Sequence, residues 1–175
     1  MQDAQQAIKT VRENADRWEV DKNKNGIMGS SVDGHLAATA ATYFNKAYIE
    51  NSNSISLRPD FQILVYPVIS MQDSLTHGGS RTKLLGRQPL KADIDFFSNE
   101  LQVTKNSPPA YLTHAADDVT VDVDNSVAYF EKLRRLNVPV EMHIYPKCGH
   151  GFIFRQRGWM EPLLQWMKAN KWLTD

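Results

Sequence analysis

Residues 25–44 read NGIMGSSVDGHLAATAATYF, and the reading of Ser30-Ser31 decides the fold. The apolar tripeptide Ile27-Met28-Gly29 runs straight into the two serines. A small-residue helical pattern through Leu36, Ala37, Ala40, Ala41 and Phe44 follows at once. A strand that becomes a helix with no loop between has two readings. Either a tight turn holds Ser31 up as a nucleophile, or Ser and Asp simply satisfy the free N–H groups of a helix start. The stretch alone leaves both open.

Outward from it, apolar residues alternate between strand-like and helix-like spacing. Ala4, Ala7, Ile8, Val11, Ala15 and Trp18 predict an amphipathic helix over residues 2–17, followed by the polar turn VDKNKN. Residues 45–60 are polar and loop-like. FQILVYPV (61–68) is a near-continuous apolar run, as expected of a strand covered on both faces. Residues 69–107 are irregular, with short helices expected near 91–98, and form a candidate lid or substrate loop. AYLTHAA (110–116) and VEMHIYP (140–146) read as strands. Residues 124–137 read as a helix through Val127, Phe130, Leu133 and Leu136, and 159–172 as a closing helix with Trp159, Leu163, Trp166 and Met167 inward. This alternation predicts one α/β domain over residues 1–175, with a mostly parallel sheet and helices on both faces.

The composition narrows the partners. The chain has 175 residues, 42% of them hydrophobic, and 20 Lys plus Arg balance 20 Asp plus Glu. Neither nucleic acid nor an anionic membrane is expected as a partner, and no apolar run is long enough to span a bilayer. Cys148 is the single cysteine, so no internal disulfide forms. No ligand pair has a recognised metal spacing, and neither metal nor cofactor is expected. The expectation is a soluble protein, cytoplasmic or secreted with its signal lost upstream.

Parallel sheets place binding groups at the carboxyl ends of their strands. Three polar clusters fall at such ends: Ser30-Ser31, Asp117-Asp118 and His150. A serine hydroxyl is a weak nucleophile until a histidine, oriented by a carboxylate, takes its proton. The order Ser31, Asp118, His150 is the order in which α/β-hydrolases carry these groups.

The residues also carry a resemblance. IMGSSVDGHLA (27–37) is similar to the elbow G-x-S-A-G-G-H-L-A of α/β-hydrolase esterases, more narrowly the acetyl esterases, acetylxylan esterases and related carbohydrate esterases. YPVISM with THGGSRTKLLG, and the region from PPAYLTHAADD to KCGHGF, resemble later segments of that group. The resemblance implies an α/β-hydrolase fold with Ser31 as nucleophile, Asp118 as acid and His150 as base. It makes the backbone N–H of Val32 one oxyanion donor. It further implies a small acylated substrate, acetyl or another short acyl group on a sugar or xylan-type alcohol.

The sequence departs from the pattern at four places. Asp33 stands at the elbow's second glycine, Asp122 at the usual proline after the acid, and Cys148 where glycine is common. The chain also starts at the helix leading into the elbow strand, so the usual N-terminal strands and their H-G-G oxyanion segment are expected to be lacking. His77-Gly78-Gly79 follows the wrong strand to replace that segment. Asp117 is the neighbour most easily confused with Asp118. His35 is expected to pack beside the elbow, and His114 and His143 to be structural. Two rivals to the esterase remain: a truncated, weakly active or inactive domain that self-associates through an exposed sheet edge, and a serine peptidase of the prolyl-oligopeptidase type.

Overall fold

A computed structural model describes residues 1–173. Among them the chain runs α1 (Gln2–Glu13), β1 (Gly26–Ser30), α2 (Ser31–Thr42), β2 (Phe61–Val65), α3 (Gly78–Leu85), α4 (Lys91–Phe97), α5 (Asn99–Gln102), β3 (Ala110–Ala115), α6 (Asp124–Arg135), β4 (Val140–Tyr145), a 3₁₀ turn (Phe152–Phe154) and α7 (Met160–Ala169). The four strands form one sheet in the order β1-β2-β3-β4, every pair parallel. All strand C-termini therefore meet at one rim.

Side-chain alternation along each strand divides the core in two. Leu64, Ala110 and Leu112 face α2 and α6, joining Ala37, Ala38, Tyr129 and Leu133. Phe61, Ile63, Val65 and Tyr111 face the other way, onto Leu163 and Trp166 of α7. Every residue of β2 and β3 is buried, as befits strands covered on both faces. Helices thus lie on both faces, as the α/β pattern predicts. β1 is an edge strand paired only with β2, and Met28, on the α7 side of it, is 52% exposed.

Element boundaries differ from expectation in ways local chemistry explains. The first helix stops at Glu13 rather than 17, because Asn14 caps it with both its backbone N–H and its side chain on Thr10 O. Trp18, expected on the inward face, is consequently 47% exposed. The strand expected to 68 ends at Val65, since Tyr66 takes φ 38° and Pro67 has no N–H for a ladder. The irregular stretch holds three short helices: α4 falls at the expected place, α5 directly after it, and α3 where none was expected. α5 packs on α2 and α6.

Two buried amides join distant segments. Gln5 donates to Lys46 O and accepts from Tyr48 N–H, both at 2.8 Å, tying α1 to the loop after α2. Asn125, at the start of α6, accepts from Ile69 and Ser70 N–H through Oδ1, both at 3.0 Å, and donates to Leu75 O and Asp122 O. It holds the loop after β2 against the loop after β3.

Candidate active site

The strand-to-helix junction is a strained turn. Ser30 is extended (φ −119°, ψ 146°), and Ser31 then takes φ 52°. A non-glycine residue in that region costs of order 1 kcal/mol and persists only where its surroundings enforce it. They do so here. A Cβ on Gly29 would stand 2.2 Å from Asp33 O, and one on Gly34 2.6 Å from Pro67 Cβ. α2 therefore sits against the end of β2 at a distance only glycine allows, and Val68 N–H bonds Ser31 O at 2.9 Å. Asp33 is exposed, so the close contact falls on Gly34 and leaves the turn intact.

The three groups singled out in the sequence come together. Ser31 Oγ lies 2.9 Å from His150 Nε2, and His150 Nδ1 lies 2.7 Å from Asp118 Oδ2. The Asp118 side chain is fully buried and accepts two more bonds at Oδ1, from Thr120 N–H (2.9 Å) and Val121 N–H (3.0 Å). A carboxylate only accepts, so His150 carries its proton on Nδ1 and its Nε2 lone pair receives the Ser31 hydroxyl. Such a chain draws the proton from the hydroxyl as that oxygen attacks an electrophile.

The adjacent aspartates take separate tasks. Asp117 turns away from the imidazole, and its Oδ1 accepts from Cys148 and Gly149 N–H, both at 2.8 Å. Those bonds, Gly149 foremost, hold its carboxyl below the ordinary range. Gly149 (φ 63°) and Gly151 (φ 72°) flank His150 in left-handed conformations, and Arg155 Nη2 donates to Cys148 O (3.0 Å) and His150 O (2.6 Å). The histidine loop is thus clamped from both sides. Asp122, where a proline was expected, accepts from Asp124 N–H at 2.9 Å and orders the start of α6.

Sequence reasoning missed Tyr66. Its ring centroid lies 4.7 Å from that of His150, tilted by 56°. Burial pushes that phenol up. Tyr66 read simply as one more residue of an apolar strand, although the following Pro67 marked a break. His77 caps α3, with Nδ1 accepting from Ser80 N–H (3.3 Å) and Ser80 Oγ at 2.8 Å. His35 donates from Nε2 to Phe97 O at 2.8 Å, and burial holds its imidazole below its ordinary value. A cavity of about 420 Å³ opens beside Val32, lined by Leu36, Met71, His77, Leu84 and Phe97. Among the described residues no three His, Cys, Asp or Glu side chains cluster as metal ligands, and no helix is long and apolar enough to cross a membrane.

A serine lifted from the first strand of a parallel sheet, with its acid and histidine arriving from later strands in that order, is the arrangement of the α/β-hydrolase fold. Known proteins carry the likeness further. The chain belongs to the BD-FAE family, whose model matches residues 1–133. It is 34% identical over 153 residues to endo-1,4-beta-xylanase B of Butyrivibrio fibrisolvens, covering 86% of this chain and 24% of the relative. It is 34% identical over 156 residues to an acetylxylan esterase of Xylanibacter ruminicola, covering 87% of this chain and 31% of that protein. The crystal structure of an acetyl ester-xyloside bifunctional hydrolase from Caldicellulosiruptor lactoaceticus superposes with a TM-score of 0.91 at 32% identity, over 98% of this chain and 66% of that one. The chain thus spans a quarter to a third of these curated relatives.

Proposed function

We propose that residues 1–175 form one α/β-hydrolase domain acting as a serine carboxylic-ester hydrolase. Its nucleophile is Ser31, its base His150 and its acid Asp118. The observation that carries this reading is the unbroken run from Ser31 Oγ to His150 to Asp118, at 2.9 and 2.7 Å. His150 Nε2 takes the hydroxyl proton as Ser31 Oγ attacks the ester carbonyl. Asp118 stabilises the imidazolium, which then protonates the leaving alcohol. Water repeats the cycle on the acyl-enzyme. Val32 is the second residue of α2, so its N–H has no acceptor within the helix and lies at the helix's positive end. It serves as one oxyanion donor.

The substrate proposed is an acetyl or other short acyl ester of a sugar or xylan-type alcohol. Support comes from the names of the relatives, an acetylxylan esterase among them, and from the cavity beside Val32, which offers room next to the point of attack. Fluorophosphonate labelling with peptide mapping tests the nucleophile. The expected adduct is on Ser31, and hydrolysis of p-nitrophenyl acetate without an adduct there would overturn the assignment. A peptide anilide assayed in parallel separates esterase from peptidase, with turnover of the ester alone expected.

A further inference from the structure

His114 is the least exposed histidine of the chain, wholly buried in β3 four residues before Asp118. Both of its ring nitrogens are engaged. Nδ1 lies 2.8 Å from Ser126 Oγ on α6, and Nε2 lies 2.9 Å from Val121 O. A carbonyl only accepts, so Nε2 carries the proton, and the Ser126 hydroxyl donates to Nδ1. The same Nε2 stands 3.3 Å from Asp118 Oδ2. That oxygen is the one bonded to His150 Nδ1.

We propose that His114 is a positioning residue for the reaction: its Nε2, whose N–H goes to Val121 O, stands 3.3 Å from the Asp118 oxygen that orients His150, and this polar edge of the ring sets where that oxygen and its charge lie. The inference rests on the reading of Ser31, His150 and Asp118 given above. Oδ1 of Asp118 is pinned by two backbone N–H groups. Those bonds alone leave the carboxylate able to rotate about its own axis, which would swing Oδ2 away from the imidazole. The Nε2 edge of His114 stands 3.3 Å from Oδ2. Ser126 matters because it selects the tautomer: with the proton on Nδ1 instead, a lone pair would face the carboxylate and repel it.

Burial lowers the affinity of His114 for a second proton, opposed by Val121 O and Asp118, so the ring stays a neutral donor. The titratable groups facing this cluster are Asp118 itself, His150 and Tyr66, while Asp117 is turned onto Cys148 and Gly149. The polar edge of a neutral ring attracts the Asp118 charge without neutralising it. Without that edge the carboxylate directs more negative charge at His150 and holds its proton more tightly.

The test compares His114→Leu, His114→Gln, Ser126→Ala and Ser31→Ala on p-nitrophenyl acetate, with folding followed by circular dichroism. His114→Leu is expected to lose about 10-fold to 100-fold in kcat at nearly unchanged KM, as for other partners that orient a functional histidine. Its acid limb of kcat/KM is expected to move to higher pH. His114→Gln places an amide N–H near the position of Nε2 and is expected to recover most of the loss. Ser126→Ala is expected to lower kcat in the same direction by less. A folded His114→Leu with wild-type kcat and an unmoved acid limb would overturn the proposal. If that variant does not fold, Ser126→Ala with wild-type kcat and acid limb overturns it, and a lowered kcat with a shifted limb supports it. Ser31→Ala separates the two claims: full turnover there removes the nucleophile assignment itself. An inactive Ser31→Ala beside unaffected His114 and Ser126 variants removes only the role of His114.

Discussion

At Ser31 a strained backbone and a hydroxyl set against an imidazole are the same feature. A φ of 52° lifts the side chain out of the strand's alternation and toward His150. Ser31→Ala should cost up to about 10⁶ in kcat if the three groups act as a unit, read by p-nitrophenyl acetate turnover. The glycine that permits the turn is sensitive in a different way, through stability. Gly34→Ala drives a Cβ into Pro67 and should lower stability by about 1–3 kcal/mol, read from urea unfolding with fluorophosphonate labelling of the folded fraction. Asp117 acts through the loop. Its lowered carboxyl pKa means that the ionised form is the one that holds Cys148 and Gly149. The contribution is present above the ordinary carboxylate range and is lost as pH falls through the lowered value. Asp117→Ala should therefore reduce kcat about 10-fold to 100-fold by displacing His150, with Ser31 itself unmoved. Ser31, Asp118 and His150 were legible in the sequence because each follows an apolar strand. Asp118 was told from Asp117 only by the resemblance, since both follow the same strand and only the direction of each side chain separates them physically.

Among the elements, α2 and α6 carry the site's supports on the face of the sheet opposite α7. Asn125, at the start of α6, ties the loop after β2 to the loop after β3, with four hydrogen bonds spanning up to 56 residues of chain. Asn125→Leu leaves Ile69 and Ser70 N–H buried without acceptors and should destabilise the protein by about 3 kcal/mol, measured as a fall in the urea midpoint. The strands and the long helices were legible from their apolar periods, because each buries a face large enough to impose one. α3 and α5 were not: four to eight residues give hardly two turns, and their positions come from contacts such as Ser80 on His77 and Asn99 on His35 O. Tyr66 belongs with them. Its place over His150 depends on the chain leaving β2 at φ 38°, which an apolar run does not announce.

For the molecule as a whole, two buried imidazoles set the acid response. His35 and His114 both lie below their ordinary value of 6.5, chiefly because burial penalises the charged form. The unfolded chain takes up protons below that value while the folded one does not, so stability is full above about pH 6.5 and declines as pH falls. Each contributes a slope of up to about 1.4 kcal/mol per pH unit. Urea midpoints at pH 7.5 and 5.5 should differ accordingly, and His35→Asn should flatten the trend. The sequence by itself determined the α/β alternation, the parallel sheet and the chain order of hydroxyl, carboxylate and imidazole, because period and turn chemistry are local properties. Only the tertiary structure decided what Asp117 does beside Asp118, that Tyr66 and His114 stand around the imidazole, and that Gly34 rather than residue 33 carries the close helix contact. Those are distances between segments up to 119 residues apart, and they exist only once the strands share a rim.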